Sequence, residues 1–284
     1  MKPKPLDRKA LDDHPLPSII DGGKESKGRL LIIAGSRGVP GAALLAATAA
    51  MRAGAGKLRI ATVASISAQL GLAMPEAMVL GLPEDDDGGF AASAVQRLAH
   101  EAAEVDALVA GPGVRRNGAC GLLARALLGS SAALAFDVAL LKSLRQPDHE
   151  RKVQPVLLPD ADELAALLDC DDDMVERDPL GSGLRAAELY RSVVLVKGVT
   201  SHVVTPEGEA WTYDGGAPGL GVSGSGDVLA GIVGGLLARG AKPLNALLWA
   251  VWLHGEAGAA LAKKVGPIGF LAREIADEVP RLLL

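Results

Sequence analysis

Apolar runs separated by amphipathic stretches recur along most of the chain. The runs are LLIIA (30–34), KLRIATV (57–63), AMVLGL (77–82), ALVAG (107–111), ALAFD (133–137), PVLLP (155–159) and VVLVK (193–197). Uninterrupted apolar runs are typical of parallel strands buried on both faces. The stretches between them hold helical patterns, among them 41–53, 92–104 and 162–168. Strands that alternate with helices predict an α/β fold, with a mostly parallel central sheet and helices on both faces.

The pattern changes near residue 202. In HVVTPEGEAWTY (202–213) two β-rich runs flank a PEG turn, which predicts an antiparallel hairpin late in the sheet. Helical spacing then predicts three helices, at 227–239, 244–264 and about 270–282. Residues 1–27 contain four prolines and many charges, so we expect an extended N-terminal arm. Residues 28–284 show no internal repeat and are predicted to form a single domain.

Composition narrows the classes of partner. Hydrophobic residues make up 49% and aromatic residues 3% of the chain, so a large core must consist of Ala, Leu, Val and Ile. The net charge of −5 argues against a nucleic-acid or anionic-membrane surface, since both favour basic patches. The chain opens on a polar segment without an apolar signal region, and its only cysteines are Cys120 and Cys170. We therefore expect a reduced, cytoplasmic protein that does not engage a membrane.

The stretch GVSGSGDVLAGI (221–232) is the strongest candidate for chemistry. Its glycines leave backbone N–H groups uncovered just before a helix that begins near Ser225 or Asp227, an arrangement that favours a phosphate site. Alternatively, the glycines form a turn and Asp227 only caps the helix, which leaves the three glycines and two serines unexplained. A carboxylate beside phosphate suits a base that activates an attacking hydroxyl. Gly234 and Gly235 within the helix predict close packing against a neighbour.

The segment GSGDVLAGIVGGLLARG (224–240) resembles the GTGD-type anion-hole signature of ribokinase-like enzymes. Within that superfamily, the chain resembles the ADP/ATP-dependent NAD(P)H-hydrate dehydratases from about residue 28 to 282. The resemblance rests on blocks in the family's order, namely 28–62, MPEAM (74–78), AGPGV (110–114), FDVALL (136–141), VKGVTS (196–201) and WLHGEAG (252–258). It implies a ribokinase-like fold and ADP- or ATP-dependent dehydration of NADHX or NADPHX back to NADH or NADPH. It also implies a homotetramer.

The resemblance assigns roles to residues of this sequence. Asp227 would activate the hydroxyl, and the amides of Gly224, Ser225 and Gly226 would hold the phosphoryl group. The nucleotide would contact Gly226 and the segment that comprises Lys197, Gly198, Val199, Thr200 and Ser201. The hydrated cofactor would contact Ala42, Gly113, Asp160 and Asp227.

One block departs from the family. Where the family usually has Thr-Pro-His-Pro-Gly-Glu, this chain has LPDADE (158–163), with Asp160 at the histidine position and Asp162 at the glycine position. An acidic group there repels a substrate phosphate unless Mg²⁺ intervenes. Conversely, Asp160 and Glu163 have the spacing of the Asn-x-x-Glu pair that helps ribokinase-like kinases to hold Mg²⁺. A small-molecule kinase that phosphorylates an alcohol, and a catalytically altered nucleotide-binding relative, therefore stay open as alternatives.

Three further residues have two interpretations each. Asp137 ends a strand and could belong to a site or cap a turn. His254 lies on an apolar helix and is predicted to be a packing residue. Arg37 follows the first strand and could meet a phosphate or be an ordinary surface arginine.

Overall fold

The structure is a computed structural model that describes residues 2–18, 23, 26–147 and 151–283. These residues contain a single ten-stranded sheet. The strands are β1 (Lys4–Pro5), β2 (Arg29–Ile33), β3 (Lys57–Val63), β4 (Ala77–Leu82), β5 (Ala107–Ala110), β6 (Ala133–Phe136), β7 (Val156–Leu157), β8 (Val193–Val196), β9 (Ser201–Val204) and β10 (Ala210–Tyr213). Their order is β1-β10-β9-β8-β7-β6-β5-β2-β3-β4.

Ten α-helices connect and cover the strands in the described ranges. They are α1 (Gly41–Arg52), α2 (Ala64–Ala73), α3 (Val95–Ala103), α4 (Ala119–Leu128), α5 (Ala161–Leu168), α6 (Asp172–Arg177), α7 (Pro179–Tyr190), α8 (Ser225–Ala238), α9 (Pro243–Lys264) and α10 (Ala272–Leu282). Short 3-10 helices occupy Ala10–Asp13, Ala92–Ala94, Val138–Ser143 and Pro218–Leu220. Among the described helices, none is both long enough and apolar enough to cross a membrane.

The strand directions confirm the predicted sheet. All neighbouring strands from β2 to β8 pair in parallel, whereas β9 is antiparallel to both β8 and β10. The hairpin predicted over 202–213 is therefore confirmed. Because parallel strands point the same way, the residues that follow β2 to β8 gather at one edge of the sheet.

Some helices, among them α7, were not predicted because their apolar residues do not recur clearly at helical spacing. Helix α7 begins PLGSGLRA, a composition that predicts a turn. Pro179 stands at the start of the helix, where its missing N–H costs nothing, and the Asp178 carboxylate accepts from the Gly181 amide at 2.9 Å. A Cβ on Gly183 would lie 2.6 Å from Val196 Cγ2, so this glycine allows the helix to approach β8. Tertiary packing here outweighs helix propensity.

Helices α1 and α8 meet along a seam of small residues. A Cβ on Gly231 would lie 2.2 Å from the Ala46 carbonyl oxygen, and one on Gly235 would lie 2.5 Å from that of Ala50. Gly234 faces the sheet instead, where a Cβ would lie 2.4 Å from Val109 Cγ2. The close packing predicted from the glycines is confirmed, and the seam fixes α1 and α8 relative to each other.

The N-terminal residues pack against the far edge of the sheet. Strand β1 pairs with β10 in parallel, and the Leu6 amide donates to the Thr212 carbonyl at 2.8 Å. Leu11 is fully buried, and Trp249 Nε1 donates to the His14 carbonyl at 2.8 Å. The segment predicted as an arm thus covers the edge of β10 and contacts α9.

Candidate active site

The carboxyl ends of three adjacent parallel strands bring together a lysine and its carboxylate partners. Asp137 follows β6, Glu163 lies in α5 directly after β7, and Lys197 follows β8. Lys197 Nζ donates to Asp137 Oδ1 at 3.0 Å and lies 3.6 Å from Glu163 Oε2. A Cβ on Gly226 would lie 3.9 Å from the same Nζ. The ammonium group therefore stands beside the N-terminus of α8.

A left-handed glycine shapes the turn that leads into α8. Gly224 has φ of +90°, and a Cβ there would lie 2.5 Å from Leu45 Cδ1, so a side chain is disfavoured by both strain and space. The Ser225 amide donates to the Val222 carbonyl at 3.1 Å. The amides of Gly226 and Asp227 have no hydrogen-bond partner within the described residues. Of the three predicted anion-hole amides, those of Gly224 and Gly226 have no hydrogen-bond partner within the described residues, and the Ser225 amide is occupied.

Asp227 does not cap its helix. Gly224 is the N-cap residue and no side chain makes a capping hydrogen bond, so the capping interpretation of Asp227 is wrong. Burial raises the pKa of Asp227 to about 6, the negative charge of Asp137 adds to the increase, and Lys197 opposes it. A carboxylate whose pKa is close to neutrality suits general-base catalysis.

The charges around Lys197 keep it protonated. Burial lowers the pKa of Lys197, but attraction by Asp137 and Glu163 outweighs this effect, so the pKa lies above its ordinary value. Asp137 is only 1% exposed and its carboxylate is held by the ammonium group. Burial also raises the pKa of Glu163, against the attraction of Lys197. The result is a fixed cation next to the start of α8, and Asp137 is part of this charged cluster at the strand ends.

The acidic segment 158–163 is engaged in local structure. The Glu163 amide donates to Asp160 Oδ1 at 2.9 Å, and the Asp160 amide donates to Glu163 Oε2 at 3.0 Å, which makes a capping box for α5. Asp162 forms an ion pair with Lys142. Within the described ranges, no group of three or more His, Cys, Asp or Glu side chains is arranged to hold a metal. Asp160 and Glu163 could therefore supply only part of a Mg²⁺ shell, which fits an ion held largely by nucleotide phosphates.

Two of the four residues predicted to contact the hydrated cofactor, Ala42 and Gly113, lie against each other. Gly113 has φ of +62°, and a Cβ there would lie 2.5 Å from the Ala42 Cβ. Ala42 is the second residue of α1, which follows β2, and Gly113 follows β5, the neighbouring strand. Gly111 links them to the charged cluster, because a Cβ on it would lie 1.9 Å from the Asp137 carbonyl oxygen. The predicted substrate and nucleotide residues thus share one edge of the sheet.

The segment predicted to contact the nucleotide is open. Gly198, Val199 and Thr200 are exposed, Val199 completely, and Ser201 begins β9. Ser201 Oγ donates to the Gly198 carbonyl at 3.4 Å and closes the turn between β8 and β9. This turn stands next to Lys197 and is free to receive a ligand.

Two further residues, His254 and Arg37, hydrogen-bond to protein groups. His254 Nε2 lies 3.0 Å from Ser225 Oγ and 3.1 Å from the Ser225 carbonyl oxygen, so it contacts the turn that leads into α8 directly. Burial lowers its pKa to about 4. No local signal could show this contact, because it depends on how α9 packs against α8. Arg37 donates to the Glu84 carboxylate at 3.0 Å and to the Asp86 carbonyl at 3.1 Å, so its guanidinium group is engaged by protein.

Comparison with solved structures identifies the fold class of the protein. A protein from Enterococcus faecalis V583 described as a member of the ribokinase-like superfamily shares the fold, with a TM-score of 0.82 at 24% identity over 99% of this chain and 95% of that one. The sheet order and the surrounding helices accordingly form a ribokinase-like α/β fold.

Sequence comparison narrows this class to one family. The family model described as NAD(P)H-hydrate dehydratase matches residues 30–281, and the chain belongs to that family. It is 47% identical to the ADP-dependent (S)-NAD(P)H-hydrate dehydratase of Xanthomonas campestris pv. campestris over 96% of this chain and 94% of that protein. The ADP/ATP-dependent NAD(P)H-hydrate dehydratase of Bacillus subtilis, co-crystallised with ATP and Mg²⁺, has a TM-score of 0.86 at 25% identity, covering 99% and 98% of the two chains. The chain spans about half the length of the bifunctional NAD(P)H-hydrate repair enzymes that it matches.

Proposed function

We propose that this protein is an ADP-dependent dehydratase that returns (S)-NADHX and (S)-NADPHX to NADH and NADPH. The observation that carries the proposal is the position of the Asp227 carboxylate. It does not cap its helix, and it lies in the first turn, where the amides of Gly226 and Asp227 have no hydrogen-bond partner within the described residues. Family membership and 47% identity to the Xanthomonas enzyme over nearly the whole chain support it.

The reaction needs a better leaving group than hydroxide. The ring hydroxyl of the hydrated nicotinamide attacks the terminal phosphorus of ADP, and Asp227 takes the hydroxyl proton as the new O–P bond forms. The bridging P–O bond breaks and AMP leaves. The C–O bond then breaks, phosphate departs with the electron pair, and loss of a proton from the neighbouring carbon restores the double bond. The sum converts NADHX and ADP into NADH, AMP and phosphate.

The surrounding residues stabilise charge that develops on the moving phosphoryl group. The amides of Gly226 and Asp227 point from the positive end of α8, and the Lys197 ammonium group is fixed beside them by Asp137 and Glu163. The open turn at 198–201 receives the nucleotide, and the contact between Ala42 and Gly113 lets the hydrated ring approach the backbone closely. Asp160 and Glu163 would share Mg²⁺ with the phosphates, where the ion would neutralise their charge.

The acidic segment 158–163 is compatible with this activity. Asp160 accepts the Glu163 amide, and Asp162 is paired with Lys142, so part of the negative charge is compensated within the protein. This supports the dehydratase over a relative that has lost its substrate.

The test is to incubate the purified protein with NADHX and either ADP or ATP and to follow absorbance at 340 nm. We expect the absorbance of NADH to return with ADP, together with equimolar AMP and phosphate by chromatography. Phosphorylation of an alcohol without return of NADH would indicate a small-molecule kinase, and calorimetric ADP binding without turnover would indicate a nucleotide-binding relative. Either result would reject the dehydratase. Assembly as a homotetramer stays a prediction, which light scattering after size-exclusion chromatography tests.

A further inference from the structure

His254 connects the middle of α9 to the first residue of α8. Its Nε2 atom lies within hydrogen-bond distance of two Ser225 atoms, the hydroxyl oxygen at 3.0 Å and the carbonyl oxygen at 3.1 Å. Ser225 is buried, and its amide donates to the Val222 carbonyl. All three polar groups of Ser225 are therefore bound by protein, whereas the amides of Gly226 and Asp227 have no partner in the part of the chain that the structure describes.

The contact with the Ser225 carbonyl oxygen is the basis for assigning the proton of His254 to Nε2. A carbonyl oxygen only accepts hydrogen bonds, so Nε2 must donate to Ser225 O. The same N–H is shared with the hydroxyl oxygen, which therefore accepts from the histidine and keeps its own hydrogen for another acceptor. The imidazole is neutral near pH 7, because burial keeps its pKa near 4. His254 thus acts as a fixed donor to this turn.

The carbonyl contact has a consequence for the neighbouring amide. The Ser225 carbonyl and the Gly226 N–H belong to one peptide unit, which is planar and trans, so the two groups point in opposite directions. A donor that holds the carbonyl on one side therefore sets the direction of the N–H on the other. This peptide unit lies in the first turn of α8, and the Gly226 N–H has no hydrogen-bond partner within the described residues, so its direction matters for a ligand.

We propose that His254 is a positioning residue of the phosphate-binding turn: by holding the Ser225 carbonyl and hydroxyl, it aims the Gly226 amide at the phosphate of the bound nucleotide. The proposal rests on the proposed function in that it takes this turn to bind ADP. It gives a role to a side chain that makes no contact with Asp227 or Lys197 among the described hydrogen bonds.

The test compares four variants by ADP calorimetry and by steady-state kinetics with NADHX. His254→Phe fills the space without a donor, and we expect its affinity for ADP to fall about tenfold or more, with a higher KM for ADP. His254→Gln places an amide N–H near the position of Nε2 and should stay within about threefold of the wild type. His254→Asn is too short to reach Ser225 and should resemble His254→Phe. Ser225→Ala keeps the carbonyl contact and should show an intermediate loss.

His14→Phe is the matched control. His14 is also a partly buried histidine that bonds one side chain of α9, Asn245, at 3.3 Å, but it lies in the N-terminal segment away from the turn. It should leave the KM for ADP unchanged. A purely structural defect would lower the amount of active protein without changing that KM.

Equal ADP affinity in His254→Gln and His254→Asn, both close to wild type, would overturn the proposal. This comparison also decides the matter if His254→Phe fails to fold. Calorimetry with ADP needs no turnover, so wild-type protein that binds ADP but fails to restore NADH would contradict the proposed function alone. If the histidine variants then still lose affinity, the positioning role is supported.

Discussion

Replacing Asp227 by Asn should make the protein more stable and less active at the same time. The pKa of this carboxyl is raised from an ordinary value of 3.8 to about 6 in the folded protein. The folded state therefore binds its proton more tightly than the unfolded state does, and ionisation of Asp227 opposes folding. Sites arranged for catalysis commonly carry such a cost in stability.

The magnitude follows from the two pKa values. Their difference of about two pH units corresponds to about 3 kcal/mol, since each unit is worth about 1.4 kcal/mol. The sign is such that wild-type stability falls as pH rises from about 4 to about 6 through this group, and the loss is complete above pH 6. Asparagine does not ionise, so Asp227→Asn escapes this loss. Its free energy of unfolding should exceed that of the wild type by about 3 kcal/mol at pH 8, and by close to zero below pH 4.

Urea unfolding of both proteins at pH 4, 6 and 8 measures this difference. In thermal unfolding at pH 8 the variant should melt roughly 5–10 °C higher than the wild type. Its kcat should fall about 10²- to 10⁴-fold, because the base is gone, while ADP binds at least as well. A variant that is less stable than the wild type at pH 8, or equally stable at every pH, would refute the inference that ionisation of Asp227 destabilises the folded protein. Unchanged kcat would refute its role as the base.

Three further outcomes are expected. The wild-type kcat/KM should fall about tenfold per pH unit below pH 6 as Asp227 becomes protonated, and a flat profile down to pH 5 would contradict a base with that pKa. Asp137→Asn should move this acid limb to lower pH, because Asp137 raises the pKa of Asp227, and a shift to higher pH would contradict the assigned electrostatics. Gly235→Ala should destabilise the fold by about 1–3 kcal/mol because its Cβ meets the Ala50 carbonyl. Gly41→Ala, which has open space, should change the unfolding free energy by less than about 0.5 kcal/mol, and equal effects of both would contradict the tight seam.

Most of the sheet could be predicted because buried parallel strands appear in the sequence as continuous apolar runs. The predicted 57–63 and 77–82 agree with β3 and β4 at both ends, and the hairpin followed from its turn. Helices such as α2 and α7 were missed because Ala, Ser and Gly carry little apolar contrast, and their position depends on what they pack against. A local sequence pattern predicts a helix or strand only where the polarity of each side chain determines whether that side chain is buried.

The candidate site could likewise be predicted only in part. The turn before Asp227 could be found because glycines and a carboxylate stand next to each other in sequence. The ion pair between Lys197 and Asp137 joins residues 60 positions apart, and the contact of His254 with Ser225 joins residues 29 positions apart. Neither pair leaves a local signal, since both form only when the strand ends and helices are assembled. The occupied amide of Ser225 likewise depends on a backbone turn that the sequence does not specify.

The pairing of Lys4 with Trp211 sets a limit on the order in which the molecule can be built on a ribosome. Chains emerge N-terminus first at about 5–20 residues per second, so the first strand waits on the order of 10–40 s for its neighbour to be made. Throughout that interval it has nothing to pair with in its own sheet. Completion of the far edge is therefore a late event in folding, and a bulky fusion at the N-terminus would hinder this step most directly.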